Sequence, residues 1–449
     1  MLSATEQSLF LGLRKTLRSS VTETVRLNQY YEGLHRLESL GLAIPDELKR
    51  FTVCVNWPRT TVDAVANRLD VVGFRMPGTD RADEYLWDVW QYNNMDERQT
   101  FVHTESLALA RSYVAVGTND VDREFPIVTV ESPLEMVAVR DPRTHRVSSA
   151  LRMYNVNEEG EPTRATLYLP NKTVWLKLED GEWLDEFEPD VHNLGTVPIV
   201  PFVNRARPTA LSSRSVLEGV SEMADVIPIA DSASRALTNA QLAQETHAVP
   251  ARGVLGATKG DFVDQNGHPL PAWQAYFSSV WALGNKDAKT FQFDASDMRN
   301  FETMINLYGR LASSVTSLSP ETFGLSTNNP PSAEGYRAGE TPAVKNAERK
   351  QGSFGAPWES VMRLVMRFRT GEWAADARRM ETLWRDAGTP TVSQMTDAVA
   401  KRFAAGLIDW ETAQEKLGES PETIRRMSER RNRDVQSALN VGVQNFLDQ

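Results

Sequence analysis

Six histidines, one cysteine and one glycine-rich run are the residues whose chemistry would announce an enzyme, and none stands in a productive pattern. The histidines fall at 35, 103, 145, 192, 247 and 268. They form no HxxxH or HExxH pair and no Cys/His set that could hold zinc, so each is expected to be structural or solvent-facing. The run GVLGATKG, Gly253 to Gly260, has the wrong spacing for a phosphate-binding loop, and no Ser or Thr follows Lys259 to reach a magnesium ion. It is expected to be a turn-rich connection. Cys54 lies in the apolar context FTVCVNW and, as the single cysteine, can form no internal disulfide. A buried small hydrophobe is its expected role. There is no GxSxG elbow for a nucleophile. Acidic neighbours such as Asp185 and Glu186 are too common in a chain with 60 carboxylates to argue for acid–base catalysis. The expectation is a protein with no catalytic residues, no metal and no cofactor.

Composition bounds the remaining classes. The 449 residues suggest two to four structural units, and 41% apolar with 24% charged residues is ordinary globular usage. No stretch approaches the ~18–20 apolar residues that span a bilayer, and the N-terminus lacks the pattern of a signal peptide, so a protein made in a cytoplasm is expected. A net charge of -11 argues against a broad basic clamp on DNA, whose affinity would come from Lys and Arg releasing phosphate counter-ions. It suits a surface past which a polyanion must slide.

The elements that would position any site follow from periodicity. Leu9, Leu13, Leu17, Val21 and Val25 predict an N-terminal helix from Ala4 to about Leu40. A second helical segment follows Pro45, broken at Pro58, with Asn56 as cap of the next helix and Gly73 closing it. From about Thr118 to Val203, short alternating runs predict an antiparallel β region, with turns at Asn157 to Gly160 and a tight hairpin at Asp180-Gly181. A long helix is expected from near Ser212, with Val216, Val220, Met223, Ile227 and Ala230 on one stripe despite Pro228. Glycines and prolines then break up residues 247–289. Phe301, Met304, Ile305, Tyr308, Leu311 and Val315 predict a helix over Ser296 to Leu318, stopped by Pro320. The stretch from Glu321 to Gly335 is a loop by composition, and helix resumes over Val344 to Phe368. Short helices follow from Thr391 to Gly406 and from Asp409 to Gly418, and Ser420-Pro421-Glu422 opens another.

Two features keep two meanings each. The aromatics of the 247–289 insertion fill a small local core or present a surface to a partner chain. The helix bearing Arg425, Arg426, Arg430, Arg431 and Arg433 touches phosphate or is a solvated face laced with Glu422, Glu429 and Asp434.

Several strings resemble a known family: Tyr30 to Arg75, the strand-to-helix passage GTVPIVPFVNR (Gly195 to Arg205), the helix around Ala230 to Gly256, and SLSPETFGLSTNNPPSAEGYRAGE (Ser317 to Glu340). Together they are similar to the SPP1-type portal family of tailed phages, particularly versions from phages of actinobacteria, along nearly the whole chain. The resemblance implies an α+β, predominantly helical subunit with wing, stem, clip and crown regions that assembles into a ring. Residues 1–211 would be the wing, 212–246 and 291–318 the two stem helices, and 247–290 the clip. Residues 319–389 would hold the tunnel loop and a long wing helix, and 390–449 the crown. It further implies a DNA-facing tunnel loop at Gly324, Leu325, Ser326, Thr327, Asn328, Asn329 and Pro330, and partner contacts in the clip at Lys259, Trp273, Tyr276 and Trp281. The implied role is a head–tail connector at one capsid vertex of the virion, made in the host bacterial cytoplasm. Its implied partners are its own copies, twelve in the virion, the major capsid and scaffold proteins, terminase and a head–tail adaptor. Double-stranded DNA would pass through without sequence specificity, and no membrane is involved. The residues alone leave two alternatives: a non-enzymatic helical adaptor or scaffold of another assembly, and a metal-dependent nuclease, for which no ligand set can be named.

Overall fold

The computed structural model describes residues 2–35, 53–79, 81–206, 219–247, 252–255, 289–292, 299–325, 333–388, 392–420 and 422–433. They form two compact units: residues 1–35, 56–228 and 312–449, and residues 36–55 with 229–311. The fold is α+β.

In the first unit, helix α1 (Ala4–Glu32) starts at a capping box in which Ser3 and Glu6 satisfy each other's backbone donors, and it ends at Gly33 in the left-handed region. Its apolar face, with Phe10, Leu13 and Leu17, packs on a five-stranded antiparallel sheet through Val137, Leu151, Leu167 and Leu176. That sheet runs β4 (Met136–Arg140), β5 (Val147–Val156), β6 (Pro162–Tyr168), β7 (Thr173–Glu179) and β8 (Glu182–Asp185) in sequence order. Its alternate residues Met136, Ala138 and Ala150 point the other way, against Tyr113, Val197 and Ile199. Those belong to or border a three-stranded sheet of order β3 (Ile127–Glu131), β2 (Arg111–Gly117), β9 (Ile199–Val203). The expected β region is present, but it begins at Arg111 rather than Thr118. Helices α3 (Glu84–Tyr92) and α4 (Met95–Ala108) precede it.

The hairpin at Asp180-Gly181 joins β7 to β8 with Glu179 opposite Glu182, and both turn residues have positive φ, 50° and 84°. This is the type I′ geometry that matches strand twist. Gly181→Ala should lower stability by about 1 kcal/mol, because a Cβ is disfavoured there; a urea titration whose midpoint does not move would refute this.

Helix α2 (Trp57–Ala66) begins as expected, with the Asn56 side chain accepting from the Arg59 N–H and Pro58 in the first turn. Gly73 does not close it. The helix ends at Asn67, and Gly73 lies in β1 (Val71–Arg75), beside the register irregularity of its antiparallel pairing with β12 (Glu381–Trp384). A strand partner so distant in sequence leaves no local signal, whereas glycine at a bulge is common.

The helix expected from Ser212 also starts late. Residues 207–218 lie outside the described ones, residues 219–221 are irregular and 222–226 form turns; α5 (Ile227–His247) then begins with Pro228 in its first turn. Tertiary bonds claim the backbone before it: the Val220 N–H donates to Asn204 O and the Glu222 N–H to Leu107 O. The Ser221 hydroxyl donates to Ala108 O at 2.6 Å. A Cβ on Gly219 would sit 2.2 Å from Ala110 O, so only glycine permits this approach.

The longest helix, α7 (Ala333–Thr370), starts eleven residues before the expected Val344. Its buried stripe of Ala343, Ala347, Phe354, Trp358, Val361 and Val365 covers the three-stranded sheet, with Trp358 and Phe354 set edge-on to Phe202 at 4.7 and 6.0 Å. His103 of α4 is fully buried here, accepting a hydrogen bond at 3.0 Å from the Trp358 indole N–H. The C-terminal helices α8 (Val392–Ala404) and α9 (Trp410–Lys416) end near Gly406 and Gly418, both at positive φ, and residues 422–433 are helical, with Ser420 accepting from the Thr423 N–H.

In the second unit, the segment before Asn56 is not the expected helix where it is described. Instead, the N–H groups of Val53 and Val55 donate to Thr238 and Ser234 hydroxyls of α5. Cys54 between them is half-buried, and burial raises its thiol pKa. In the broken region β10 (Arg252–Leu255) pairs antiparallel with β11 (Lys289–Gln292). Helix α6 (Arg299–Thr316) follows, close to its expected bounds.

Candidate functional site

Helices α6 and α7 bracket the loop singled out by sequence. After α6, the Ser313 hydroxyl donates to Leu318 O at 2.7 Å, and a single 3-10 turn follows over Pro320–Phe323. Phe323 is buried and meets Trp57 edge-on at 5.7 Å between ring centres. Gly324 then takes φ +80°, and the Leu325 N–H donates to Pro320 O. Of the expected loop residues, Gly324 and Leu325 therefore belong to an anchored root, while Ser326, Thr327, Asn328, Asn329 and Pro330 lie outside the described residues. The four residues expected in a clip, Lys259, Trp273, Tyr276 and Trp281, lie outside them too.

Behind this root is a cavity of about 780 Å³, lined by Thr316 and Ser317 from one limb and Pro342 from the other. Five cations face it, Arg140, Arg205, Lys345, Arg349 and Lys350, against the carboxylates Glu222 and Asp225. Most of that charge is engaged internally. Arg205 pairs with Asp225 at 2.8 Å, Lys345 pairs with Glu348, and Lys350 pairs with Glu222 at 2.7 Å.

The Lys350–Glu222 pair is the buried centre of the cavity wall. The Lys350 ammonium also donates to Asn204 Oδ1, while Asn346 and Asn204 donate to the two Glu222 oxygens at 3.0 and 3.1 Å. Burial pushes the Glu222 pKa up, but the charge of Lys350 and three hydrogen bonds outweigh it and hold the carboxyl below its usual range. Burial lowers the Lys350 pKa, opposed by Glu222 and reinforced by Arg205 and Arg349 nearby. Arg140, half-buried, is lowered by burial as well. Sequence reading passed over Lys350. Its signal was a lysine in the core stripe of α7, between Ala347 and Phe354.

The other flagged residues have structural surroundings. Arg425 lies 3.7 Å from both Glu422 and Glu429, and Arg431 stacks over Trp410, as expected of a helix face laced with acids. Glu186 pairs with Arg164. Among the described residues no His/Cys/Asp/Glu group could hold a metal, and no helix is long and apolar enough to cross a membrane.

Comparison with known proteins gives these features a family. The chain is 34% identical over 449 residues to the portal protein of Mycobacterium phage D29, covering 97% of this chain and 89% of that one. To the portal protein of Mycobacterium phage L5 it is 34% identical over 424 residues, covering 92% and 85%. Among solved structures, a chain of the virion of a native gene transfer agent particle matches with a TM-score of 0.44 and 13% identity, covering 89% of this chain and 94% of that one. The family described as phage portal protein, SPP1 Gp6-like, matches residues 18–437, and with two relatives at 34% identity along most of its length this chain belongs to that family.

Proposed function

We propose that this chain is one subunit of a closed ring at a single capsid vertex, through which double-stranded DNA is packaged and later ejected. Beyond family membership, one observation carries the ring. Met304, Leu307, Leu311 and Val315 form a stripe along α6, each 41 to 46% exposed. An amphipathic helix with its apolar stripe in water is stable when a neighbour covers it, and a head-to-tail ring supplies that neighbour for every copy.

In this reading α5 and α6 are the stem, the stem's first helix starting at Ile227 rather than Ser212, and residues 247–290 are the clip. The two sheets with α1 to α4 and α7 form the wing, and residues from about 390 the crown. The loop after Leu325 faces DNA. No Lys or Arg occurs from Glu321 to Ala333, and the nearby cations are recessed in the cavity, largely paired, so a sliding duplex meets no deep phosphate wells. An ATP-driven terminase supplies the work and docks at the clip, followed by a head–tail adaptor, while capsid and scaffold proteins surround the wing. The chain itself catalyses nothing.

Native mass spectrometry with negative-stain imaging of the full-length chain tests this, with a ring of about twelve copies expected. Leu307→Glu with Leu311→Glu should leave each copy folded, since both positions are exposed, and abolish rings. Wild-type assembly by the double variant would refute the α6 interface.

A further inference from the structure

The helix over residues 422–433 carries five arginines, and its packing sorts them into two sets. Ile424 is buried, and the Ser428 hydroxyl donates to Glu411 at 3.3 Å, so this side of the helix rests on α9. Two arginines flank that contact and are engaged. Arg431 stacks over Trp410 at 5.3 Å, and Arg425 sits 3.7 to 3.8 Å from Glu84, Glu422 and Glu429, which turns both acids of the helix toward it. The other three, Arg426, Arg430 and Arg433, are spaced i, i+4 and i+7 and so share one face, the one turned away from Ile424 and Ser428. All three are exposed. Arg433 reaches the Glu429 carbonyl at 3.4 Å, and none of the three pairs with a carboxylate among the described residues.

We infer that this stripe holds the phosphate backbone of double-stranded DNA, without regard to sequence. From Arg426 to Arg433 the helix rises about 10 Å, a length over which one strand of B-DNA presents about three phosphates. A guanidinium is always charged and meets a phosphate with paired donors, and such contacts read no base edge. In a chain of net charge -11, three unpaired cations in line are out of keeping with the average surface and suit a polyanion. The contrast with the loop is one of task. The segment from Glu321 to Ala333 has no Lys or Arg and lets a duplex slide, whereas the stripe retains it through released counter-ions. The inference rests on the reading of the chain as a DNA conduit, but its test separates the two.

Binding of the full-length protein to a fluorescent duplex of mixed sequence is followed by anisotropy at several salt concentrations. Arg426→Gln, Arg430→Gln and Arg433→Gln together should weaken binding at least about tenfold and make the fall of log affinity with log salt shallower by about 2 to 3. Lysine at the same three positions keeps the charge and should retain both. Arg123→Gln with Arg378→Gln and Arg379→Gln, at exposed positions elsewhere, alters net charge equally and should leave the salt dependence unchanged. A wild type that binds no duplex, a glutamine stripe that binds as wild type, a lysine stripe as weak as the glutamine one, or an equal loss in the remote variant each overturns the inference. If the glutamine stripe binds duplex normally but its rings fall apart, the stripe meets an acidic face of another copy, which overturns it too. Native mass spectrometry on the same samples reads ring formation. Rings that bind duplex through other residues overturn the stripe and leave the conduit; duplex held through the stripe by a protein that forms no rings does the reverse.

Discussion

Replacing Lys350 by alanine is expected to destabilise the protein by about 3–5 kcal/mol, the usual cost of removing one partner from a buried ion pair. The side chains of Lys350 and Glu222 are 7% and 11% exposed, so solvent screens the pair weakly. Alanine would leave the Glu222 carboxylate in the wall with only the two asparagine amides, and would strand Asn204 Oδ1 without its donor. The companion expectation distinguishes a buried charge from mere packing. Lys350→Met combined with Glu222→Leu removes both charges and should recover most of the loss, since apolar replacements of a whole buried pair are often neutral. Urea titrations of both variants against wild type measure the effect. A single variant within about 1 kcal/mol of wild type, or a double variant worse than the single, would show that the pair does not act as a unit.

Acidification should destabilise the protein through His103, beginning well above the range where carboxylates titrate. Burial holds this imidazole at a pKa of about 3, against 6.5 for an ordinary histidine. Its Nε2 must stay unprotonated to accept the Trp358 N–H. Because the folded pKa is depressed, the unfolded chain takes up a proton that the folded chain refuses between pH 6.5 and about 3. Stability is unaffected above pH 6.5 and falls as pH drops through that window, by up to ~1.4 kcal/mol per unit, or about 2 kcal/mol at pH 5. Buried carboxyls with raised pKa, Glu105 and Glu131 among them, change stability in the opposite sense over part of that range. The decisive quantity is therefore the difference between wild type and His103→Gln, whose amide can still accept from Trp358 and does not titrate. The difference should shrink steadily in the variant's favour from pH 6.5 to 4.5. A pH-independent difference would mean that His103 is not held neutral by burial.

Residues with local consequences could be interpreted from sequence. Asn56 and Pro58 open α2 because a side-chain acceptor and a missing N–H both serve the first turn of a helix, whatever surrounds it. Asp180-Gly181 turns β7 into β8 because only a few residues accept two positive φ angles in a row. The stripe on α6 predicted that helix nearly to its ends. The longer strings pointed to the family. The root of the proposed DNA loop was located but not resolved into parts: that Gly324 and Leu325 are tied to the 3-10 turn depends on Phe323 finding Trp57, which is remote in sequence.

Long-range pairing decided the rest. The start of α5 moved from Ser212 to Ile227 because Leu107, Ala108 and Asn204 take the hydrogen bonds that periodicity had assigned to helix. Gly73 became part of a strand because its partner, β12, lies some three hundred residues along the chain. Lys350 occupies a position that pattern reserves for an apolar residue, and it is tolerable there only because folding brings Glu222 and Asn204 to it. The sequence by itself determined the fold class, the family and the bounds of α6, α8 and α9; only the tertiary structure decided which charged groups are buried together. Periodicity reports which face of an element is apolar, whereas the cost of a buried charge depends on what stands opposite it.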